Sequence, residues 1–155
     1  KVLMINVGIG IRSTGRICTD LAAALEEQGH EVKIAYGREN VPEQFQKYAV
    51  RIGNDFDVKR HGLKARLLDG AGFGSKRVTE KFIKWVKEYD PDIIHLHNIH
   101  GYYINIEVFL DIYKRVERKL FGHYMIVGVL RGIVFILIML IVINGKRNAI
   151  IALKK

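Results

Sequence analysis

The residues with most chemistry in this 155-residue chain are three closely spaced histidines. His95 and His97 stand two apart in Asp92-Ile-Ile-His-Leu-His97, and His100 follows in Asn98-Ile-His-Gly-Tyr-Tyr103. Residues two apart on a strand share a face, so both imidazoles of the run look the same way. Three histidines with Asn98 raise the idea of a metal centre, but the pattern spells out no complete ligand set, and no metal is expected. His95, inside the strand, reads as a packed structural histidine. His97, at the strand's carboxyl end, is the foremost candidate for catalysis. Tyr102 and Tyr103 could stack on a sugar ring, whereas Tyr36, Phe82 and Trp85 read as packing residues.

A second constellation is the loop Gly8-Ile-Gly10-Ile-Arg-Ser-Thr-Gly15. Backbone N–H groups at a helix start favour anions, so Gly10, Ser13, Thr14, Gly15 and Arg16 are candidates to hold phosphates. The loop matches neither familiar nucleotide fingerprint. A dinucleotide site needs G-x-G-x-x-G, and here the third glycine falls two places late. A P-loop needs Lys then Ser or Thr after its last glycine, and here Arg16 and Ile17 follow. The acid that would hold a ribose at the end of the second strand is replaced by Tyr36-Gly37-Arg38. A nicotinamide-dependent oxidoreductase is therefore disfavoured, and no cofactor is implied.

The elements that must position these residues alternate along the chain. Val2 to Val7 is a continuous apolar run, as in a strand buried on both faces. Ser13 or Thr14 can cap a helix reaching Gln28, with Ile17, Leu21, Ala24 and Leu25 at helical spacing and Gly29 after it. Glu31 to Tyr36 is a second strand, completing a βαβ unit and hence a parallel sheet. Lys47 to Ile52 reads as a third strand, Asn54-Asp55 as a turn, Arg60 to Leu68 as a weak helix and Gly70 to Gly74 as a loop. Val78 to Tyr89 is amphipathic, with Val78, Phe82, Trp85, Val86 and Tyr89 on one face, and Asp90-Pro91 breaks it. Asp92 to His97 is a fourth strand, and a helix starts near Ile104 or Asn105. The fold expected is α/β, a Rossmann-like doubly wound parallel sheet without its later strands. The Gly-rich loop and His97 share its ligand crevice.

Charge and cysteine content bound the function further. The net charge of +9 would point to nucleic acid or anionic lipid if it were spread over the chain. From Lys114 onward, however, nine basic residues face Glu117 alone, so that segment carries +8 of the +9. The body is close to neutral, and no nucleic-acid partner is expected. A single cysteine, Cys18, makes no internal disulfide and fits a reducing cytoplasm. Val2 to Val7 is too short for a signal-peptide core and no small-residue cleavage site follows it.

Two strings, INVGIGIRSTGRICTDLAAALEEQGHEVKIAYGR and DPDIIHLHNIHGYYINIEV, resemble the N-terminal domain of family-four retaining glycosyltransferases. These enzymes have the GT-B fold, and the likeness is nearest to the bacterial branch that builds capsular, exopolysaccharide or lipopolysaccharide glycans. It covers residues 1 to about 108. It implies a hexosyltransferase parent that moves a sugar from a nucleotide-sugar donor to a glycan or lipid-linked acceptor. The N-terminal domain holds the acceptor, and its first loop lies under the donor phosphates, which points to Gly10, Ser13, Thr14, Gly15 and Arg16. The second histidine of the strand-end H-x-H, His97 here, stands beside the reacting sugar and stabilises charge or orients the donor. Asn98, His100 and Gly101 match the same motif. The donor-binding second domain is not expected in a chain this short, so no turnover is expected from it alone.

Residues 109–155 form a separate region. Where the family reads roughly CGKKVIWTLHDCWSFTGHC, this chain reads VERKLFGHYMIVGVLRGIV. Taking the last base of each codon with the first two of the next lets Gly122 yield Trp, His123 yield Thr and Met125 yield His. The remaining residues also permit the family string. The expectation is a frameshift between about Glu107 and Asp111, which would also explain an acid-free, Ile- and Val-rich tail. The rival is a helical membrane anchor at 124–143, since twenty apolar residues span a bilayer and Arg131 is the one charge among them. That rival makes the chain a small membrane-associated protein with a cytoplasmic Rossmann-like domain. The tail is expected to be helical, and the sheet to end at an open fourth strand.

Overall fold

The computed structural model describes residues 1–68, 75–109, 119–130 and 133–143, with side chains described through residue 63 and from 75 to 109. The first apolar run becomes β1 (Val2–Asn6), buried at every position. It pairs in parallel with β2 (Val32–Tyr36) on one side and β4 (Ile93–Leu96) on the other. β3 (Ala49–Arg51) extends the sheet beyond β2, also in parallel. The strand order β3-β2-β1-β4 reverses its direction of growth beside β1, and such a switch point opens a crevice at the carboxyl ends of the strands.

Alternation along β1 sends side chains into two separate cores. Leu3 and Ile5 pack with Phe82, Ile83 and Val86 of α3 (Lys76–Tyr89). Val2 and Met4 pack with Cys18 and Ala22 of α1 (Arg12–Glu27). A helix on each face makes the sheet doubly wound, as the sequence predicts. Burial in the α1 layer pushes the Cys18 thiol up to about 12.

Local chemistry moves several boundaries. α1 begins at Arg12 with Ile11 at its cap position, and no side chain caps it, so the expected Ser13 or Thr14 cap is corrected. Both residues lie inside the first turn. The third strand is three residues long because Glu43–Tyr48 form a 3-10 helix instead. Lys47 Nζ and Tyr48 Oη both donate to Glu26 Oε2 at 2.5 Å, tying that turn to the end of α1. α2 (Asp55–Leu68) starts five residues earlier than expected. Asn54 Oδ1 accepts from the Asp57 N–H at 2.9 Å, and Asp57 Oδ2 accepts from the Asn54 N–H at 3.1 Å. This reciprocal cap is the same device as Ser-x-x-Glu in other residues. Asn105 Oδ1 likewise caps the helical turn that begins at Ile106, accepting from the Val108 N–H at 2.9 Å. The glycine-rich stretch 70–74 lies outside the described residues.

β5 (Lys119–Leu130) pairs in parallel with β4, and β6 (Ile133–Ile143) pairs antiparallel with β5. The edge of β4 thus carries β5. β-branched Val and Ile dominate β6 and favour the pleated state, and the β4 edge offers backbone partners to β5. Among the described residues no helix is long and apolar enough to cross a membrane.

Candidate functional site

Three loops converge where β1, β2 and β4 end. The His97 N–H donates to the Ile5 carbonyl at 2.9 Å, carrying the β1–β4 pairing one residue past the strand. The Arg38 N–H donates to the Val7 carbonyl at 2.9 Å, doing the same on the β2 side. Between them Asn6, fully buried, acts as a staple. Its Nδ2 donates to the Gly8 carbonyl at 2.7 Å, and its Oδ1 accepts from the Asn98 N–H at 3.1 Å. One amide therefore fixes the glycine loop against the histidine loop. Sequence reasoning passed over Asn6, although a lone polar residue in VLMINV was the available signal.

The glycine loop packs tightly on its helix. A Cβ on Gly15 would stand 3.2 Å from the Gly10 nitrogen and 3.3 Å from the Gly8 oxygen, so the absence of a side chain lets α1 come down onto the loop. The Gly10 N–H donates to the Gly15 carbonyl at 3.1 Å, so this amide is engaged within the loop and does not point at a ligand. The first turn of α1 carries no acid and has no side-chain cap, leaving the N–H groups around Ser13 and Thr14 as the anion-seeking part. Arg16 is exposed on the helix beyond them.

His97 directly follows the last residue of β4. Ile93 packs against the Val2 and Met4 side of the sheet, and alternation places His95 and His97 on that same side. Their ring centroids are 4.1 Å apart. This is the face that carries α1, so His97 lies on the same side of the sheet as the helix that the glycine loop leads into. Asn98 shapes the histidine loop, its Oδ1 accepting from the His100 N–H at 3.3 Å. Gly101 lies against Val7 and the Arg38 stem. Partial desolvation against the loop first, and the Arg38 guanidinium second, hold the exposed His100 imidazole below its ordinary pKa, favouring the neutral ring.

The two tyrosines of the histidine loop turn different ways, Tyr103 buried and Tyr102 half-buried. Tyr103 is 1% exposed, and its ring fills the space over Gly37, where a Cβ would come within 2.0 Å of Cγ. Its hydroxyl donates to the Asn98 carbonyl at 2.8 Å, so it supports the histidine loop from beneath. Tyr102 turns toward α2, meeting the His61 ring edge-on at 5.5 Å.

Two charged residues enter the site without having been singled out. Glu39 Oε1 pairs with Arg12 at 2.5 Å, and Glu39 Oε2 lies 3.1 Å from where a Cβ on Gly8 would be. A carboxylate thus rests against the glycine loop and neutralises the cation at the start of α1. Among the described residues, no cluster of three or more His, Cys, Asp or Glu could hold a metal ion.

A doubly wound α/β domain whose glycine loop and strand-end histidine meet at the switch point belongs to the Rossmann-like class. Residues 14–112 match the family model described as Glycosyltransferase Family 4, and the chain belongs to that family. No curated protein matches the chain, and neither does any solved structure.

Proposed function

We propose that this domain is the acceptor-side half of a retaining glycosyltransferase that acts in the cytoplasm on bacterial cell-surface polysaccharide. The supporting observation is the family match over residues 14–112, which takes in Thr14 to Arg16 of α1 and all of the histidine loop. In this reading the phosphates of a nucleotide-sugar donor lie over the first turn of α1. They displace Glu39 from Arg12, because a diphosphate presents more negative charge to the guanidinium than one carboxylate does. His97 stands beside the reacting sugar and orients it or stabilises charge, so catalysis rests on positioning and electrostatics rather than on a protein nucleophile. The acceptor is a glycan or a lipid-linked sugar.

The donor nucleotide of the enzymes that the sequence resembles sits mainly on a second domain, so binding is a better test here than turnover. Amide NMR spectra of the chain, titrated with a uridine-diphosphate sugar in the millimolar range, should show shifts at Arg12 to Arg16 and at His97. His97→Ala should keep the α1 shifts and lose the response of the histidine loop. If common nucleotide sugars move neither group, the reading fails.

We propose in addition that residues from about 109 onward are translated out of the family's frame. The family match ends at residue 112, close to the proposed shift between Glu107 and Asp111. Re-sequencing the gene tests this, and the idea is lost if no one-base change restores a long family-like frame.

A further inference from the structure

A cavity of about 910 Å³ lies between the end of β3, α2 and the start of α3, on the face of the sheet opposite α1. Its size suits a small organic ligand. Val50, Ile52, Phe82 and Trp85 form its apolar wall, with the two aromatic rings stacked at a centroid distance of 6.0 Å. Around that wall stand Arg60, Lys76, Arg77 and Lys81.

The charges of the lining are unequally matched. Arg51 is paired with Asp55, and the Asp57 carboxylate accepts from the Asn54 N–H in the cap of α2. Among the described residues no carboxylate lies within ion-pair distance of Arg60, Lys76, Arg77 or Lys81. Four like charges around one cavity repel each other. Two of them, Lys76 and Arg77, also occupy the first turn of α3, where the helix dipole disfavours cations and no acid is present. His61, 2% exposed, lines the same cavity and meets Ser75 Oγ at 2.9 Å just before that turn. The described lining therefore gathers four exposed cations that a bound anion would pair with, beside an aromatic wall that an apolar body or a sugar ring could rest on.

We propose that this cavity is a second binding site, taking a phosphate-bearing small molecule or headgroup whose body lies against Trp85. It stands on the opposite face of the sheet from the His97 crevice and does not depend on the glycosyltransferase reading. Trp85 is the chain's single tryptophan, so its fluorescence reports this site directly. The full chain would be titrated at constant ionic strength with inorganic pyrophosphate. In a second arm it would be titrated with vesicles of phosphatidylglycerol or of phosphatidylcholine. A saturable change with pyrophosphate is expected, weakened about tenfold or more in the double variant Lys76→Gln, Lys81→Gln and unaltered in His97→Ala. A response to phosphatidylglycerol vesicles alone, with the same loss in the double variant, would assign the site to a lipid headgroup. Absence of a response in both arms, or an equal response from a double variant with wild-type circular dichroism, overturns the proposal.

Discussion

At the residue scale, the site is organised by groups that touch no ligand. Asn6 is the clearest case, since it joins two loops that are about 90 residues apart in sequence. Asn6→Ala leaves the Gly8 carbonyl and the Asn98 N–H without this partner inside the protein, a loss of about 1–3 kcal/mol for buried polar groups. Urea unfolding should show that decrease, and a change below about 0.5 kcal/mol would mean the staple has no energetic role. His100 supplies a second test. Its folded pKa is depressed by partial desolvation and then by Arg38, so the unfolded chain takes up the proton first. The contribution to stability is present above the unfolded value of about 6.5 and is lost as pH falls from there through the folded pKa. Replacing Arg38 with Ala should move the His100 titration part of the way upward in an NMR pH series, because the desolvation remains. An unchanged or lower value would remove Arg38 as a cause. His97 was legible from its place at a strand end. The Glu39–Arg12 pair was not, because it forms only once β2 and α1 are brought side by side.

At the element scale, the sequence pattern located the described α-helices and strands of the first 109 residues but not the 3-10 helix Glu43–Tyr48, and local hydrogen bonding decided their ends. The five residues of α2 before Arg60 were missed because the capping box is spelled Asn-x-x-Asp, and the third strand was overdrawn because Lys47 and Tyr48 turn toward Glu26. Tyr103 shows the larger limit. Nothing in the order of residues tells a sugar platform from a buried prop, and only the parallel pairing of β2 beside β1 brings Gly37 beneath that ring. Gly37→Ala places a methyl group inside the Tyr103 ring, which must move and release its bond to the Asn98 carbonyl. Overpacking of this kind costs about 1–3 kcal/mol, and thermal unfolding should show it. The amide shifts of Asn98 to Gly101 should change in the same variant. If stability falls but those shifts stay put, Tyr103 supports the core and not the histidine loop.

At the scale of the whole molecule, one sheet separates two cores that share no side chain yet share the strands β1 to β4. Leu3 and Ile5 belong to the α3 layer, while Met4 between them belongs to the α1 layer, so neither layer can lose β1 without disturbing the other. The crevice depends on this coupling because its glycine loop leads into α1 and its histidine loop is anchored to α3. That anchor is the Asn105 N–H, which donates to Thr79 Oγ1 at 2.7 Å. Both layers should therefore unfold in one transition, as small domains generally do. Trp85 reports on the α3 layer, whereas Ile34 lies buried in the α1 layer. Ile34→Ala deletes a buried aliphatic side chain far from the indole and should lower stability by about 2–5 kcal/mol. The prediction is that denaturation followed by Trp85 fluorescence shifts by the same amount as denaturation followed by far-ultraviolet circular dichroism. If the fluorescence transition stays at its wild-type midpoint while the dichroism transition moves, the layers unfold independently. The crevice would then lie between two units free to separate, and its geometry would need a bound ligand or partner to hold it.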